Sequence, residues 1–430
     1  MEHAPAIDDA NLTKTATNMA RALTGFEDDS EASDRAIPIR PQDLVRALLA
    51  DPSFSPQEQN VFQQFAKILN AIFHHEYHEW LVTLKDLYSP LDPDSDCVSV
   101  ANGTREFDES SDETFLKPFE AALIKANYQP LNLDVIAKAI SSPNEIGLNY
   151  VPDFSIFEHL NVYVRGRTRV SRVARTFRSR FRKRETFLDG YARLIVILKF
   201  RAGAKNLDQY ARPDVVYLRM FKDVPHVDME MHLPEQGTKV KMRMIDKAQI
   251  ASPILTGIPV LLAKVFMMGV NPIALGFLVA PVTAGVNSFF GFQRAKQKHL
   301  ANMIRHLYYL TLANNASVIN RIVDSAEEEE FKEALIAYYF LWKARDDPEP
   351  WTSLRLDQTI EAYVLEQTGL TIDFEIGDAL RKLSRLGLVH VDGRGHLTAT
   401  PIENALERLD QQWDDVFRHN RAAAKSPQQR

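Results

Sequence analysis

The chain has 430 residues, too many for a single compact core, so we expect two or three domains. Apolar residues make up 45% and charged residues 25%, as in ordinary globular proteins, which argues against wholesale disorder and fibrous repeats. Lys and Arg number 51 against 57 Asp and Glu, and the net charge of −6 gives no general affinity for nucleic acid. The single cysteine, Cys97, excludes an internal disulfide framework and an all-cysteine metal site.

The first third of the chain is predicted to be helical after an acidic tail. Residues 1–36 lack the apolar run of a secretory signal and are expected to be disordered. Within the helical region, residues 37–150, Ser55 followed by Pro56 is typical of a helix start. Apolar residues then recur at three- and four-residue steps, which predicts a long amphipathic helix ending near Leu87.

The middle of the chain changes to strand character. Residues 151–247 are predicted to be a strand-rich basic module, because short runs there alternate or are rich in β-branched residues. In one run His226, Asp228, Glu230 and His232 alternate with apolar residues, and on a strand they would share one face. Such a face could be merely solvated or could supply metal ligands.

Residues 248–293 are predicted to form a transmembrane helical hairpin. Sixteen uncharged residues precede Lys264 and 29 follow it, and a bilayer crossing needs about 20 apolar residues. Basic residues flank the segment on both sides, which requires an even number of crossings. Small residues at four-residue steps predict close packing of the second helix, and these are Gly276, Ala280 and Ala284. A buried hairpin in a soluble protein and a re-entrant hairpin are the alternatives.

The hairpin sets the predicted fold class and localisation. We expect an α+β multi-domain membrane protein in the inner (cytoplasmic) membrane if bacterial, with both termini inside and the lipid bilayer as a partner. After the hairpin, residues 294–346 are predicted to be a helical connector, 354–419 a winged-helix-like domain and 420–430 a disordered tail.

The densest charge in the chain lies between residues 165 and 184. Ten basic residues occur there without an acid: Arg165, Arg167, Arg169, Arg172, Arg175, Arg178, Arg180, Arg182, Lys183 and Arg184. Near an anionic bilayer each would contribute about 1 kcal/mol, which makes lipid headgroups one candidate partner. A nucleic acid, an acidic protein and a solvated face paired with acids elsewhere are the alternatives.

The predicted winged-helix-like domain consists of helix, helix, hairpin and helix. Its second helix, predicted over 373–386, would be the one that reads DNA. That helix carries three acidic and three basic residues, namely Asp373, Glu375, Asp378, Arg381, Lys382 and Arg385. Because DNA binding needs an excess of positive charge, we favour docking to a protein partner over binding to nucleic acid. A homo-oligomer is the other partnership that this domain could support.

The remaining motifs assign no catalytic residue and no cofactor. His74 and His78 lie four residues apart on the long predicted helix, but they lack the His-Glu-x-x-His pattern of zinc enzymes and no third ligand is evident. Asp92, Asp94 and Asp96 begin like a calcium loop, but Cys97 occupies the position that requires glycine. The chain contains no phosphate-binding glycine loop and no Gly-x-Ser-x-Gly nucleophile turn.

Several segments resemble those of a known family. They are Leu87-Tyr88 with Leu91-Asp92-Pro93-Asp94-Ser95-Asp96, Phe221-Lys222-Asp223-Val224-Pro225 running to Glu230, Leu233-Pro234, Leu307-Tyr308-Tyr309, Asn314-Asn315-Ala316, the run from Glu333 to Trp342, and Asp373-Phe374-Glu375 with Asp378-Ala379-Leu380 and Lys382-Leu383. Over roughly residues 60 to 400 the chain resembles the DUF3754 family, membrane proteins that include transmembrane protein 143-like proteins. The resemblance implies a two-span membrane protein and no catalytic residue.

The sequence therefore predicts a membrane-anchored, non-enzymatic protein. Its winged-helix-like domain would dock a protein partner, and its Arg-rich module would lie near anionic lipid. One alternative is an oligomeric channel built from the hairpin. The other is a membrane-tethered metalloenzyme or hydrolase that uses the polar face at 226–232.

Overall fold

A computed structural model describes residues 34–96, 110–141, 149–175, 183–204, 207, 211–234, 238–241, 297, 301, 304 and 307–416. The helices in this part of the chain are α1 (Pro41–Leu49), α2 (Pro56–Tyr88), α3 (Ser110–Lys125), α4 (Leu133–Ser141), α5 (Ala316–Lys343), α6 (Ser353–Thr368), α7 (Ile376–Arg385) and α8 (Ile402–Val416). The strands are β1 (Gln129–Leu131), β2 (Asn149–Pro152), β3 (Phe157–Arg175), β4 (Lys183–Phe200), β5 (Tyr217–Pro225), β6 (Thr238–Lys241), β7 (Thr311–Asn314), β8 (Val389–Val391) and β9 (Leu397–Ala399). The architecture is α+β.

A five-stranded antiparallel sheet in the order β1-β3-β4-β5-β7 organises the middle of the molecule. Because side chains alternate along a strand, its two faces enter different cores. Tyr163 and Ile195, which are opposite each other, pack with the helical core, whereas Val162 and Val196 pack in a second core with Ile136 of α4. The sheet therefore separates two hydrophobic layers.

Helix α5 lies at the centre of the helical core. Every residue from Glu329 to Tyr339 is buried, so the helix is covered all round rather than along one stripe. Aromatic residues of α2 pack against it, with Phe65 and Tyr338 stacked at 4.3 Å between ring centroids. Leu356 of α6, Leu383 of α7 and residues of α8 belong to the same continuous core, so the predicted helical region, connector and winged-helix-like domain share one hydrophobic interior.

The start of α2 confirms the helix signal in the sequence. Ser55 is the N-cap, its side chain accepts a hydrogen bond from the backbone N–H of Glu58, and the Glu58 side chain accepts one from the backbone N–H of Ser55. This reciprocal capping satisfies two amide groups that would otherwise lack partners. The helix runs 33 residues to Tyr88, one residue beyond the predicted end.

The prediction of an integral membrane protein is corrected. Among the residues that the structure describes, no helix combines the length and the apolar character that a bilayer crossing requires. Length is sufficient in α2 and α5, with 33 and 28 residues, but both helices contain several charged side chains. The predicted two-span hairpin at 248–293, including Gly276, Ala280 and Ala284, lies outside the described residues. The channel alternative rests on this hairpin and has no support among the described helices.

The predicted strand at 227–233 is also wrong. His226–His232 form a 3-10 helix with a kink at Asp228, directly after Pro225 ends β5. Proline has no backbone N–H with which to continue a ladder, and Met229 and Leu233 turn into the second core instead. Asp228 and His232 are buried, so the single polar face proposed for a metalloenzyme does not form.

Candidate functional site

The Arg-rich segment forms the outer part of a long hairpin. β3 and β4 pair from Phe157 with Phe200 out to Arg175 with Lys183. The neighbouring strand β5 pairs with β4 only as far as Gly190, and β1 pairs with β3 only at residues 162–164. Beyond that point, the described ladder of residues 169–175 and 183–189 consists of two strands alone. At about 3.4 Å per residue it extends about 20 Å past the sheet.

We call residues 167–175 and 183–190 the basic arm. It contains six basic and two acidic residues, an excess of four positive charges. Arg167 and Arg169 are exposed, and Arg169 Nε lies 3.2 Å from Oδ1 of Asp189 on the opposite strand. The ring of Phe187 is 65% exposed and lies opposite Ser171 in the ladder. The arm thus presents a large apolar ring among cationic groups.

Two glycines allow close contacts where the arm leaves the sheet. Gly166 has φ +67°, and a Cβ there would lie 2.9 Å from the carboxylate oxygen of Asp34. At Gly190 a Cβ would lie 2.3 Å from the carbonyl oxygen of Val224, which is incompatible with the present packing. At the base of the arm, both strands therefore lie in close contact with neighbouring segments of the chain.

The ten predicted contact residues fall into three groups within the described residues and a fourth group outside them. Arg165 belongs to the interior, because it donates to the carbonyl of Ala126 at 3.0 Å and lies over the ring of Tyr128. Its side chain is only 19% exposed, so it is a structural residue. Arg167 and Arg169 lie on the exposed arm. Arg172, Arg175, Lys183 and Arg184 have strand positions on the arm, whereas Arg178, Arg180 and Arg182 lie outside the described residues.

A buried charge network on α5 was not predicted from the sequence. Lys332 donates to the carbonyl of Ile37 at 2.6 Å and to Glu329 at 2.9 Å. Glu329 in turn accepts the backbone N–H of Ile37 at 3.1 Å. This ion pair therefore holds both backbone groups of one residue of the N-terminal segment. The run Glu327 to Glu333 beside an apolar stretch is the only sequence signal, and it does not name the cations.

The second half of the network joins α5 to α7. Lys382 lies 2.8 Å from Glu330, 2.7 Å from Glu333 and 2.8 Å from Asp378, and Lys125 lies 2.6 Å from Glu330. Burial raises the pKa of Glu333 to about 7, although the charge of Lys382 opposes the rise. Arg381 also pairs with Asp378, so three cations face the three carboxylates and the charges of the network balance.

This network places α7 inside the molecule. Ala379, Lys382 and Leu383 are buried against α5, and Arg385 makes two hydrogen bonds to Glu76 of α2 at 3.0 and 2.8 Å. α7 corresponds to the helix that would read DNA in a winged helix, and its inward face is therefore occupied by contacts with α5 and α2. Its start also differs from the prediction, because Glu375 rather than Asp373 is the N-cap.

A cluster on α3 and β3 also has the composition of a metal site. Ligand atoms of Asp112, Glu158 and His159 lie within 4.8 Å of one another. However, the ammonium of Lys199 donates to Asp112 and lies 3.5 Å from Glu158. Because a cation of this chain already neutralises these carboxylates, the group is better explained as an ion-pair cluster that joins α3 to β3 and β4.

Comparison with known proteins confirms the family resemblance for part of the chain. Residues 157–317 match the family model DUF3754, described as a protein of unknown function. The match includes β3, β4, β5, β7 and the first residues of α5, and thus the whole basic arm. No solved structure matches the chain.

Proposed function

Starting from the DUF3754 region that residues 157–317 form, we propose that this chain is a non-enzymatic interaction protein that binds an anionic lipid surface through the basic arm. The observation that carries the proposal is the projection of the arm. Its two-stranded ladder begins at Arg169 and extends about 20 Å beyond the sheet, so a flat, charged surface can reach the basic residues of the arm without rearrangement of either core. Contact with the surface needs no crossing of the bilayer.

The energies suit reversible binding. Each basic residue near an anionic bilayer contributes about 1 kcal/mol, so three or four engaged residues give about 3–4 kcal/mol. Burial of the exposed Phe187 ring in the headgroup region adds about 1–2 kcal/mol. A total near 5 kcal/mol corresponds to a Kd of roughly 0.2 mM in accessible lipid. Such binding is weak enough to respond to ionic strength, because charges are screened beyond about 8 Å at physiological salt.

Two features favour lipid over nucleic acid. The chain as a whole carries −6, so it lacks the general excess of positive charge that is typical of nucleic-acid-binding proteins. In addition α7, which a winged helix would insert into the major groove, packs against α5 with its buried Lys382 bound to three carboxylates. Insertion of α7 into DNA would break these ion pairs.

Sedimentation with lipid vesicles tests the proposal. The full chain is mixed with vesicles of phosphatidylcholine alone or with 30 mole percent phosphatidylserine, at about 0.1 M salt. We expect binding only to the anionic vesicles, about 30-fold weaker for Arg167→Ala/Arg169→Ala, from a loss of about 2 kcal/mol. Arg40→Ala/Arg46→Ala removes the same charge from α1 and is the matched control. Equal binding of both variants, or tight binding to a single-stranded RNA oligomer in place of vesicles, would overturn the proposal.

A groove between α2 and α8 supports a second candidate function, the docking of a protein. It has a volume of about 700 Å³ and an apolar floor that includes Val61, Ile68 and Leu406. Its rim carries three acids, Glu403, Glu407 and Asp410, against one base, Lys67. This combination fits an amphipathic helix with apolar anchors and basic flanks. The predicted docking role of the winged-helix-like domain would then use α8 rather than α7.

A model peptide tests this second function. A fluorescein-labelled amphipathic helix of Leu and Lys should bind the full chain, and Leu406→Glu should weaken binding at least tenfold by placing a charge in the apolar floor. Leu354→Glu, at an exposed position of α6, is the matched control. Equal effects of the two substitutions would show that the peptide binds elsewhere.

A further inference from the structure

An open cavity of about 420 Å³ lies between α2 and α5, away from the basic arm. Two imidazoles of α2, His74 and His78, and two carboxylates of α5, Asp324 and Glu327, line it, and the cation Arg321 also borders it. The sequence identified the histidine pair but no third ligand. The packing of α5 against α2 supplies carboxylates that are some 250 residues distant in the chain.

The orientation of His74 is fixed by Glu327. His74 Nδ1 lies 3.0 and 3.2 Å from the two carboxylate oxygens. When Nδ1 carries the proton and donates it to the carboxylate, Nε2 keeps its lone pair. A carboxylate that holds one ring nitrogen of a histidine commonly orients the other nitrogen toward a metal and increases its basicity.

His78 follows His74 by one helical turn on the same side of α2. The two ring centroids are 6.2 Å apart. Two imidazoles on one tetrahedral zinc, with Zn–N distances near 2.1 Å, have centroids separated by roughly 5 Å. The rings therefore need to approach by about 1 Å, and the exposed His78 side chain can make this movement while His74 keeps its contact with Glu327.

Asp324 lies one turn before Glu327 on the same side of α5 and borders the same cavity. The cavity leaves room for water as a further ligand.

We propose that His74 and His78 bind a divalent transition-metal ion such as Zn²⁺, with Asp324 as the third ligand and Glu327 orienting His74. Imidazole and carboxylate ligands suit zinc, cobalt, nickel and copper better than calcium or magnesium. A metal here would tie α2 to the central helix α5. This site is independent of the lipid-binding arm.

Titration of the metal-free full chain with Zn²⁺ by calorimetry tests the site, and Co²⁺ absorption reports its coordination. We expect one ion per chain and a tetrahedral Co²⁺ spectrum. His78→Ala should weaken binding at least tenfold by removing a direct ligand, and Glu327→Gln should weaken it 10- to 100-fold by removing the group that orients His74. Far-UV circular dichroism verifies that each variant is folded.

His75→Ala is the matched control, because His75 is the next residue on α2 but does not line the cavity. It should bind Zn²⁺ like the parent chain. Two results would refute the site. One is no saturable binding below 1 mM Zn²⁺, and the other is an equal loss of affinity in His75→Ala and His78→Ala.

Discussion

The buried charges of α5 and the exposed charges of the basic arm obey opposite rules. Glu329, Glu330 and Glu333 each face an ammonium of this chain at 2.6 to 2.9 Å. The arm instead carries four more positive than negative charges on an element that projects from the sheet. Paired charges in the interior hold helices in position. An excess of one sign at the surface instead attracts an external partner.

The largest expected effect is at Lys382. Replacing it with Met leaves the buried carboxylates of Glu330 and Glu333 with only Lys125 close to them, while Asp378 keeps its pair with Arg381. Breaking a buried ion pair on one side costs about 3–5 kcal/mol. Urea unfolding should show a loss of this size. The control Lys117→Met removes an exposed ion pair with Glu113 and should cost less than about 0.5 kcal/mol of unfolding free energy. Equal losses of stability in the two variants would contradict the difference between buried and surface charges.

The pH dependence of stability sharpens the same comparison. The pKa of Glu333 is about 7 in the folded chain against 4.5 in an exposed side chain, so the folded state binds more protons between these values. Stability should therefore fall as pH rises from about 4.5 to 7, by on the order of 3 kcal/mol from this group. Glu333→Gln removes the proton-binding group. Urea titrations from pH 5 to 8 should show a smaller fall in the variant, and parallel curves would refute the assignment.

Asn315 tests a buried hydrogen-bonded side chain whose replacement should have an effect of intermediate size. It has φ +49°, its side-chain oxygen accepts from the N–H of Leu218 at 3.2 Å, and its amide donates to Asp94. Asn315→Ala should cost about 2 kcal/mol because Leu218 N–H loses one acceptor and alanine tolerates the left-handed backbone poorly. Asn320→Ala, at an exposed position of α5, is the control for a thermal or urea unfolding series. Equal costs for the two would remove the special role of Asn315.

The smallest expected effect on stability is in the arm itself. Arg167→Ala/Arg169→Ala should change the free energy of unfolding by less than about 0.5 kcal/mol, because exposed charges contribute little to folding. A loss above 1 kcal/mol would mean that the arm is part of the stabilising network, contrary to the division made above. The unfolding midpoint in urea decides between these outcomes.

Local signals allowed much of the helical fold to be predicted. Ser55 and Pro56 fixed the start of α2, and the C-terminal order of helix, helix, hairpin and helix is present. A non-local contact accounts for the error at the start of α7. α7 begins later than predicted because the backbone N–H of Asp373 bonds to the carbonyl of Asp34, and Phe374 is buried. A local sequence pattern around Asp373 cannot indicate a contact with Asp34, which lies 339 residues earlier in the chain.

The basic arm could be predicted only in part from the sequence. Charge density identified the Arg-rich segment, but only strand pairing shows that Arg165 lies in the interior while Arg167 and Arg169 are exposed. Three segments behind the family resemblance also converge, because Tyr88, Asp94 and Asn315 meet through hydrogen bonds to the Asn315 side chain. Their residue types therefore serve the fold, which sequence alone could not distinguish from a catalytic role.

The most direct test of the central claim is the salt dependence of vesicle binding by Arg167→Glu/Arg169→Glu. The full chain should bind phosphatidylserine vesicles at 50 mM NaCl and dissociate as salt approaches 0.5 M. The charge-reversed variant should fail to bind at any salt concentration while keeping the parent unfolding midpoint. Binding that persists in this variant, or that is insensitive to salt in the parent chain, would contradict the assignment of the arm as the lipid-binding element.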